Sequence, residues 1–181
     1  MKKLLIVLAV VGVFSTVTTV HAFDLAVGAR YAGLGALGGI TTGGGLLQGE
    51  ILLGPLQVAA GYTDLGGGIT MYPLTVGFIT KFPIPIVKPY IGADFTYYLM
   101  PGLTAGLNQA FQDLGYTGTV EMNMFGFCGK AGAEVRIGPA GVYFGVGYGY
   151  TMILLTLDGQ MAPPMGAPGL TWEVGGRFYF L

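Results

Sequence analysis

The sequence predicts an all-β fold, an eight-stranded antiparallel barrel turned inside out, with apolar faces outward and charges in the lumen. Three observations predict it. Almost every charged residue beyond position 22 falls on one parity face of a strand-like segment whose other face is apolar. Hydrophobic residues make up 52% of the chain and charged ones only 9%. Short and long connections alternate between the segments. A water-soluble β-protein buries its apolar face and wets its polar one, and this composition cannot cover so many apolar faces. Placing them in lipid and closing the polar faces on one another solves both problems.

The N-terminus reads as a separate object. Lys2 and Lys3 precede the apolar run Leu4–Phe14, and Val20-His21-Ala22 has the small or aliphatic residues of a cleavage site. The expectation is a signal peptide over 1–22 and a barrel over 23–181. A membrane anchor fits less well, because the segment Leu4–Val20 is only 17 residues long and Ser15, Thr16, Thr18 and Thr19 fall in its second half. Cleavage would remove two of the 8 basic residues and none of the 9 acidic ones, moving the net charge from −1 to −3. It would also remove His21, the single histidine, and with it any imidazole base or metal ligand.

Eight segments read as strands: Phe23–Gly33, Leu46–Leu53, Leu56–Thr63, Thr70–Phe82, Lys88–Leu99, Val120–Ile137, Val142–Leu154 and Leu170–Leu181. Pieces of about ten residues, rising ~3.3 Å each and tilted ~45°, cover the ~25 Å apolar band of an outer membrane. The sixth is too long for one crossing, so its first residues are expected to project above the membrane or to join a loop. Gly54-Pro55, Pro83–Val87 and Gly138–Gly141 read as short periplasmic turns. The connections at 34–45, 64–69, 100–119 and 155–169 read as longer external loops. In the last segment Trp172, Val174, Phe178 and Phe180 share the outer face, and Glu173, Arg177 and Tyr179 the inner one.

Parity assigns Asp24, Arg30, Gln48, Glu50, Gln57, Asp94, Lys130, Glu134, Glu173 and Arg177 to the lumen, with Lys88 near a turn. Five acids and four bases in a narrow barrel should pair, since an unpaired buried charge costs several kcal/mol. Arg30, Glu50, Asp94, Lys130, Glu134, Glu173 and Arg177 are therefore expected to form a connected ion-pair network. Asp94 should reach Lys130 across one ladder spacing, and Arg177 is expected to pair with Glu173. Tyr31, Tyr62, Tyr97/Tyr98 and Tyr148/Tyr150 end the outgoing strands and read as one aromatic girdle. Phe82 and Phe178/Phe180 read as the other. Gly145, Gly147 and Gly149 alternate along one strand, leaving room on the inner face for long neighbours.

Other motifs weigh less. Gly33-Leu34-Gly35-Ala36-Leu37-Gly38 fits a dinucleotide fingerprint, but the glycine-rich stretch after it is a poor helix and cannot hold a pyrophosphate. Residues Gly106–Gly115 are expected to form one or two helical turns with Leu107, Phe111 and Leu114 on one face, as a cap on the barrel rim or, alternatively, a hydrophobic lid or receptor contact. Cys128, the lone cysteine, reads as a small buried apolar residue, and no disulfide is expected. Glu134 and Glu173 are acid/base candidates by type, yet cations share their faces. No catalytic residue, cofactor, metal ligand set or basic nucleic-acid patch emerges.

Lys88-Pro-Tyr-Ile-Gly-Ala-Asp94 resembles a strand opening of the small OmpA/OmpX/OmpW-type outer-membrane barrels. Gly129–Arg136 (GKAGAEVR) is similar to their penultimate hairpin, and Gly176-Arg-Phe-Tyr-Phe180 to their assembly signal. The resemblance implies a non-enzymatic monomer in the outer membrane, in contact with lipid and lipopolysaccharide and with no nucleic acid. It also implies that barrel-assembly machinery reads Phe178, Phe180 and Leu181. Leu181 stands where the family has a terminal aromatic, and the loops are more apolar than in the adhesive members. An alternative it suggests is a narrow conduit or binding site for small hydrophobic compounds. A lipid-modifying enzyme is less in keeping with a chain from which cleavage would remove His21.

Overall fold

The computed structural model describes residues 24–33, 45–64 and 70–180. The proposed signal peptide, Phe23, Leu181, most of the Gly33–Gly38 fingerprint and the second long loop lie outside them. Nine strands and one helix are described: β1 (Leu25–Gly33), β2 (Gly45–Leu53), β3 (Leu56–Asp64), β4 (Thr70–Lys81), β5 (Val87–Leu99), α1 (Pro101–Asp113), β6 (Val120–Ile137), β7 (Ala140–Leu157), β8 (Gln160–Met161) and β9 (Met165–Phe180). Each strand pairs antiparallel with its neighbour in the order β1 to β7, then β9. β9 returns to β1, with Leu25 opposite Phe180 and Gly33 opposite Trp172. The result is a closed eight-stranded barrel, with β8 only a two-residue appendage on β7. Closure leaves the ring without an edge.

Alternation follows from the pleat. Along β2, Leu46, Gln48, Glu50 and Leu52 are buried while Leu47, Gly49, Ile51 and Leu53 are exposed. The same period sends Val27, Val58, Val76, Phe95, Phe127, Val146 and Val174 outward around the ring. Three short turns (54–55, 82–86 and 138–139) share one end with the start of β1 and the end of β9. Left-handed Gly54 (φ 60°) and Gly138 (φ 59°) tighten two of them. The β3–β4 ladder skips Gly61–Tyr62 opposite Tyr72-Pro73, where Pro73 has no N–H to give.

Several boundaries differ from the sequence reading. β6 is a continuous strand paired along its whole length with β7, from Val120–Leu157 to Ile137–Ala140. Its first residues therefore project as a hairpin extension and are not a loop. β9 begins at Met165, five residues before the expected Leu170. Asp158-Gly159, both with positive φ (49° and 76°), turns β7 straight into β8, so the expected open loop is partly a tight hairpin.

The cap helix is also longer than expected, covering Pro101–Asp113, with proline in its first turn and Gly115 (φ 86°) after its end. Its half-buried face carries Leu103, Leu107 and Phe111. Leu114 lies past the last helical turn and points away, 84% exposed. Leu103 packs on a buried cluster of Leu46, Met71, Tyr98, Met100 and Met124 that closes this end of the lumen. Tyr98 thus turns inward, contrary to the girdle expectation, while Tyr31, Tyr62, Tyr148 and Tyr150 are exposed on the outer face.

Two side chains pin this end. Asn108 donates to the Val120 carbonyl (2.7 Å) and accepts from the Val120 N–H (2.8 Å), standing in for a neighbouring strand. The Asp158 carboxylate accepts from the Tyr116 hydroxyl (2.6 Å) and the Thr119 N–H (2.9 Å). These donors, Tyr116 first, hold the Asp158 carboxyl below its usual 3.8. A depressed carboxylate pKa stabilises the latch above the unfolded value and releases it as pH falls through the folded one. The Thr119 amide resonance should therefore titrate with a midpoint below 3.8, and Asp158→Asn should abolish that step. A flat Thr119 titration in the wild-type protein would remove the latch.

Candidate functional site

The lumen is the site the fold builds. The structure brings all seven network residues named from the sequence into it and joins to them lysine, arginine, tyrosine and threonine side chains that the expected network left out. Toward the turn end, Arg177 forks onto Glu50 through Nε (2.8 Å) and Nη2 (3.2 Å), and its Nη1 reaches Glu134 (2.9 Å). Lys81 Nζ joins Glu134 at 3.1 Å and Asp24 at 3.8 Å, and Arg136 Nη1 meets Asp24 at 3.1 Å. Tyr179 donates to Glu134 (2.6 Å), Tyr143 donates to Glu50 (2.9 Å), and Lys81 also meets the Tyr179 hydroxyl. The guanidinium of Arg177 stacks 3.9 Å from the centre of the Tyr143 ring, and that of Arg136 lies 3.8 Å from the Tyr179 ring.

A second set lies toward the loop end. Lys130 Nζ binds Asp94 (2.8 Å) and Glu173 (3.2 Å). Arg30 Nη1 binds Glu173 (3.0 Å) and Asp94 (3.4 Å), while its Nε donates to Gln48 (2.6 Å). Tyr90 donates to Glu173 Oε1 at 2.9 Å. Gln48, Thr75 and Thr96 continue the chain of hydrogen bonds across the barrel. Among the described residues Gln57 links the two sets by hydrogen bonds, its Nε2 donating to Glu50 and its Oε1 accepting from Lys130 at 2.9 Å. Each set is neutral. Asp24, Glu50 and Glu134 face Lys81, Arg136 and Arg177 below; Asp94 and Glu173 face Arg30 and Lys130 above.

The expected Arg177–Glu173 pair is not made. Residues four apart on one strand share a face but lie about 13 Å apart, so Arg177 turns to the neighbouring strands instead. Lys88 forms no ion pair among the described residues, and Lys81 takes the place expected of it. Lys81 was legible by parity with Thr75 and Gly77, but the apolar Met71 and Ile79 on the same face obscured it. Tyr179 shares the inner face already read for Glu173 and Arg177, but Tyr90 and Tyr143 gave no such signal, since tyrosine suits a girdle as well as a lumen.

Glycine makes these contacts geometrically open. Tyr90, Gly132, Gly145 and Glu173 stand in one row across four strands. A Cβ on Gly132 would lie 2.5 Å from the Tyr90 ring, and one on Gly145 2.3 Å from its hydroxyl. Above the upper set, a cavity of about 70 Å³ separates Arg30, Asp94 and Cys128 from Leu46 and Tyr98. Asp94 Oδ1 is the buried side-chain oxygen left without a hydrogen-bond partner among the described residues. Cys128 is half-buried and faces this space beside Thr171 Oγ1 (3.3 Å), a polar setting and not the apolar one expected of it.

No family model matches the chain, and no curated protein matches it in sequence. Among solved structures it is similar to Neisserial surface protein A, at 17% identity over 87% of this chain and 97% of that one, with a TM-score of 0.45. It is similar to the N-terminal β-barrel domain of Pseudomonas aeruginosa OprF, at 12% identity over 87% and 97%, TM-score 0.44. It is also similar to the P. aeruginosa outer membrane protein OprG, at 13% identity over 88% and 96%, TM-score 0.44. The likeness is one of barrel shape. What those proteins do is not thereby carried to this chain.

The pairing makes a quantitative prediction. Arg177→Leu leaves buried Glu50 without a cationic partner and Glu134 with Lys81 alone, and should cost roughly 3–5 kcal/mol in reversible urea unfolding. Adding Glu50→Leu should recover part of that loss, with a coupling of about 0.5–3 kcal/mol, whereas Glu173→Leu should combine with it nearly additively. Equal coupling in the two cycles would contradict the observed partners.

Proposed function

We propose that this chain is a non-enzymatic structural or surface barrel of an outer membrane, its lumen closed to ions by its own ion pairs. The observation that carries the reading is the inversion itself. Buried positions hold charge while a continuous ring of valine, isoleucine, leucine and phenylalanine faces outward, far beyond the apolar patches a soluble monomer exposes. Two neutral charge sets, each hydrogen-bonded across the ring, leave a passing ion no unpaired charge to follow along the axis. Lipid and lipopolysaccharide are the partners such a surface suits, and closure of the sheet on itself suits a monomer. Phe178 and Phe180 lie outward at the turn end with ring centres 5.8 Å apart, accessible to assembly machinery.

A lengthwise conduit for hydrophobic compounds would have to break these pairs and displace the Met71–Met124 cluster, so the central lumen does not favour it. Reconstituted into a planar bilayer, the protein should give no stable single-channel conductance of porin size. Sustained conductance would overturn the closed lumen. Membrane residence is tested separately. Val146 is 53% exposed at mid-strand on the outer face, and Val146→Arg should cost about 2–4 kcal/mol near a bilayer midplane. Heat-modifiable gel mobility should accordingly be lost in that variant and retained in the wild type, which should resist carbonate extraction. Release of the wild-type protein by carbonate would refute membrane insertion.

A further inference from the structure

We propose that the groove between α1 and the rim of β4 and β5 holds the acyl chain of a membrane lipid, entering sideways at the tyrosine girdle. The inference rests on the membrane reading above. The groove encloses about 570 Å³, within the roughly 300–1,000 Å³ typical of small-molecule sites. Its outer wall is Tyr72 and Leu99, cross-strand partners exposed by 42% and 41% on the outer surface. Its inner end is Met100 and Met122, which belong to the apolar cluster closing the lumen. The roof is α1, through Thr104, Ala105 and Asn108.

The lining thus runs without a break from the outward apolar band to the inside of the rim, and no charged side chain lines it. Its polar side chains are largely committed within the protein. Thr104 Oγ1 donates to the Met100 carbonyl, Asn108 is fully engaged with Val120 and Thr104, and Tyr97 donates to Asn123 Oδ1 at 2.6 Å. A polar ligand would find these partners taken, whereas an alkyl chain needs none. Helix α1 fits such a position. Its one charged residue is Asp113, at the end remote from the groove. A helix roofing water on both faces would ordinarily carry more charge.

The full chain in phosphatidylcholine nanodiscs, doped with a phosphatidylcholine bearing a diazirine near its acyl terminus, provides the test. After irradiation, mass spectrometry should find adducts on the outer band, at Phe95 and Phe127, and also on Ala105 and Met122. Met122 packs with the lumen cluster, so a lipid reaches it through the groove. Ala105→Trp, which fills the groove, should reduce the Met122 adduct to background and leave those on Phe95 and Phe127 unchanged. Heat-modifiable mobility monitors folding of that variant, and the wild-type map stands without it. Labelled outer-band residues with unlabelled Met122 would overturn the acyl-chain site while leaving the membrane reading intact. So would labelling of Met122 by a water-soluble diazirine in place of the lipid one. Absence of lipid adducts anywhere on the barrel would overturn the membrane reading, and this site with it.

Discussion

The ladder between β1 and β9 is the contact on which the rest depends, because it creates an inside. It also sets Gly28 of β1 between Glu50 of β2 and Arg177 of β9 in a single row. A Cβ on Gly28 would come within 3.0 Å of Glu50 Oε1 and 3.1 Å of Arg177 Cγ. The central ion pair therefore joins residues two strands apart, across a glycine, at the seam of the barrel. Tyr90 reaches Glu173 over Gly132 and Gly145 by the same device, and Gly175 lies beneath the Tyr143 hydroxyl. Along these rows, long polar side chains alternate with residues that have none. Gly28, Gly132, Gly145 and Gly175 are glycine because of that packing rule.

Charge balance follows from the narrowness of the cylinder. A buried ion is tolerated when its remaining hydrogen-bonding capacity is also met, and here carboxylates take phenols as well as cations. Glu134, fully buried, accepts from Tyr179, Lys81 and Arg177. Dividing the charges into two neutral groups joined by one amide keeps each group locally compensated, so neither depends on long-range attraction. Above them the polarity ends at Thr75 and Thr96, and methionine, leucine and the ring of Tyr98 take over. Leu103 of α1 completes that layer, which explains why the helix lies on the rim and does not stand free in solvent.

How much of this was legible in the sequence depends on the range of the interaction. The pleat repeats every two residues, so inside and outside could be read strand by strand for Arg30, Glu50, Asp94, Lys130, Glu134, Glu173 and Arg177. Partnership was not local in the same way. Asp94 and Lys130 lie on adjacent strands and meet within one ladder spacing. Arg177 with Glu50 depends on the closing register of a ring, which no segment carries alone. Tyr179 was legible by parity with Glu173 and Arg177, whereas Tyr90 and Tyr143 were invisible as lumen residues because their ring chemistry suits either face. The β7–β8 hairpin could have been anticipated from Asp158-Gly159, whose preference for positive φ favours a tight turn over an open loop. The helix was underestimated because Leu103 owes its burial to a cluster assembled from β2, β4, β5 and β6, none of it near in sequence.

Function is harder to read than fold for a related reason. The outer face has only to be apolar, and many sequences satisfy that equally. The lumen is committed to itself, since among the described residues nearly every polar side chain there is answered by another, and the one buried oxygen without a partner, Asp94 Oδ1, belongs to a residue lining a space of about 70 Å³. What specificity the molecule has must then arise where neither constraint is complete, at the loop end. There the ladder breaks at Pro73, β6 and β7 extend past their neighbours, and α1 lies over a gap it does not fill. Residues at that rim pack against both lumen and exterior, and they are the part of the chain least determined by the need to form a barrel.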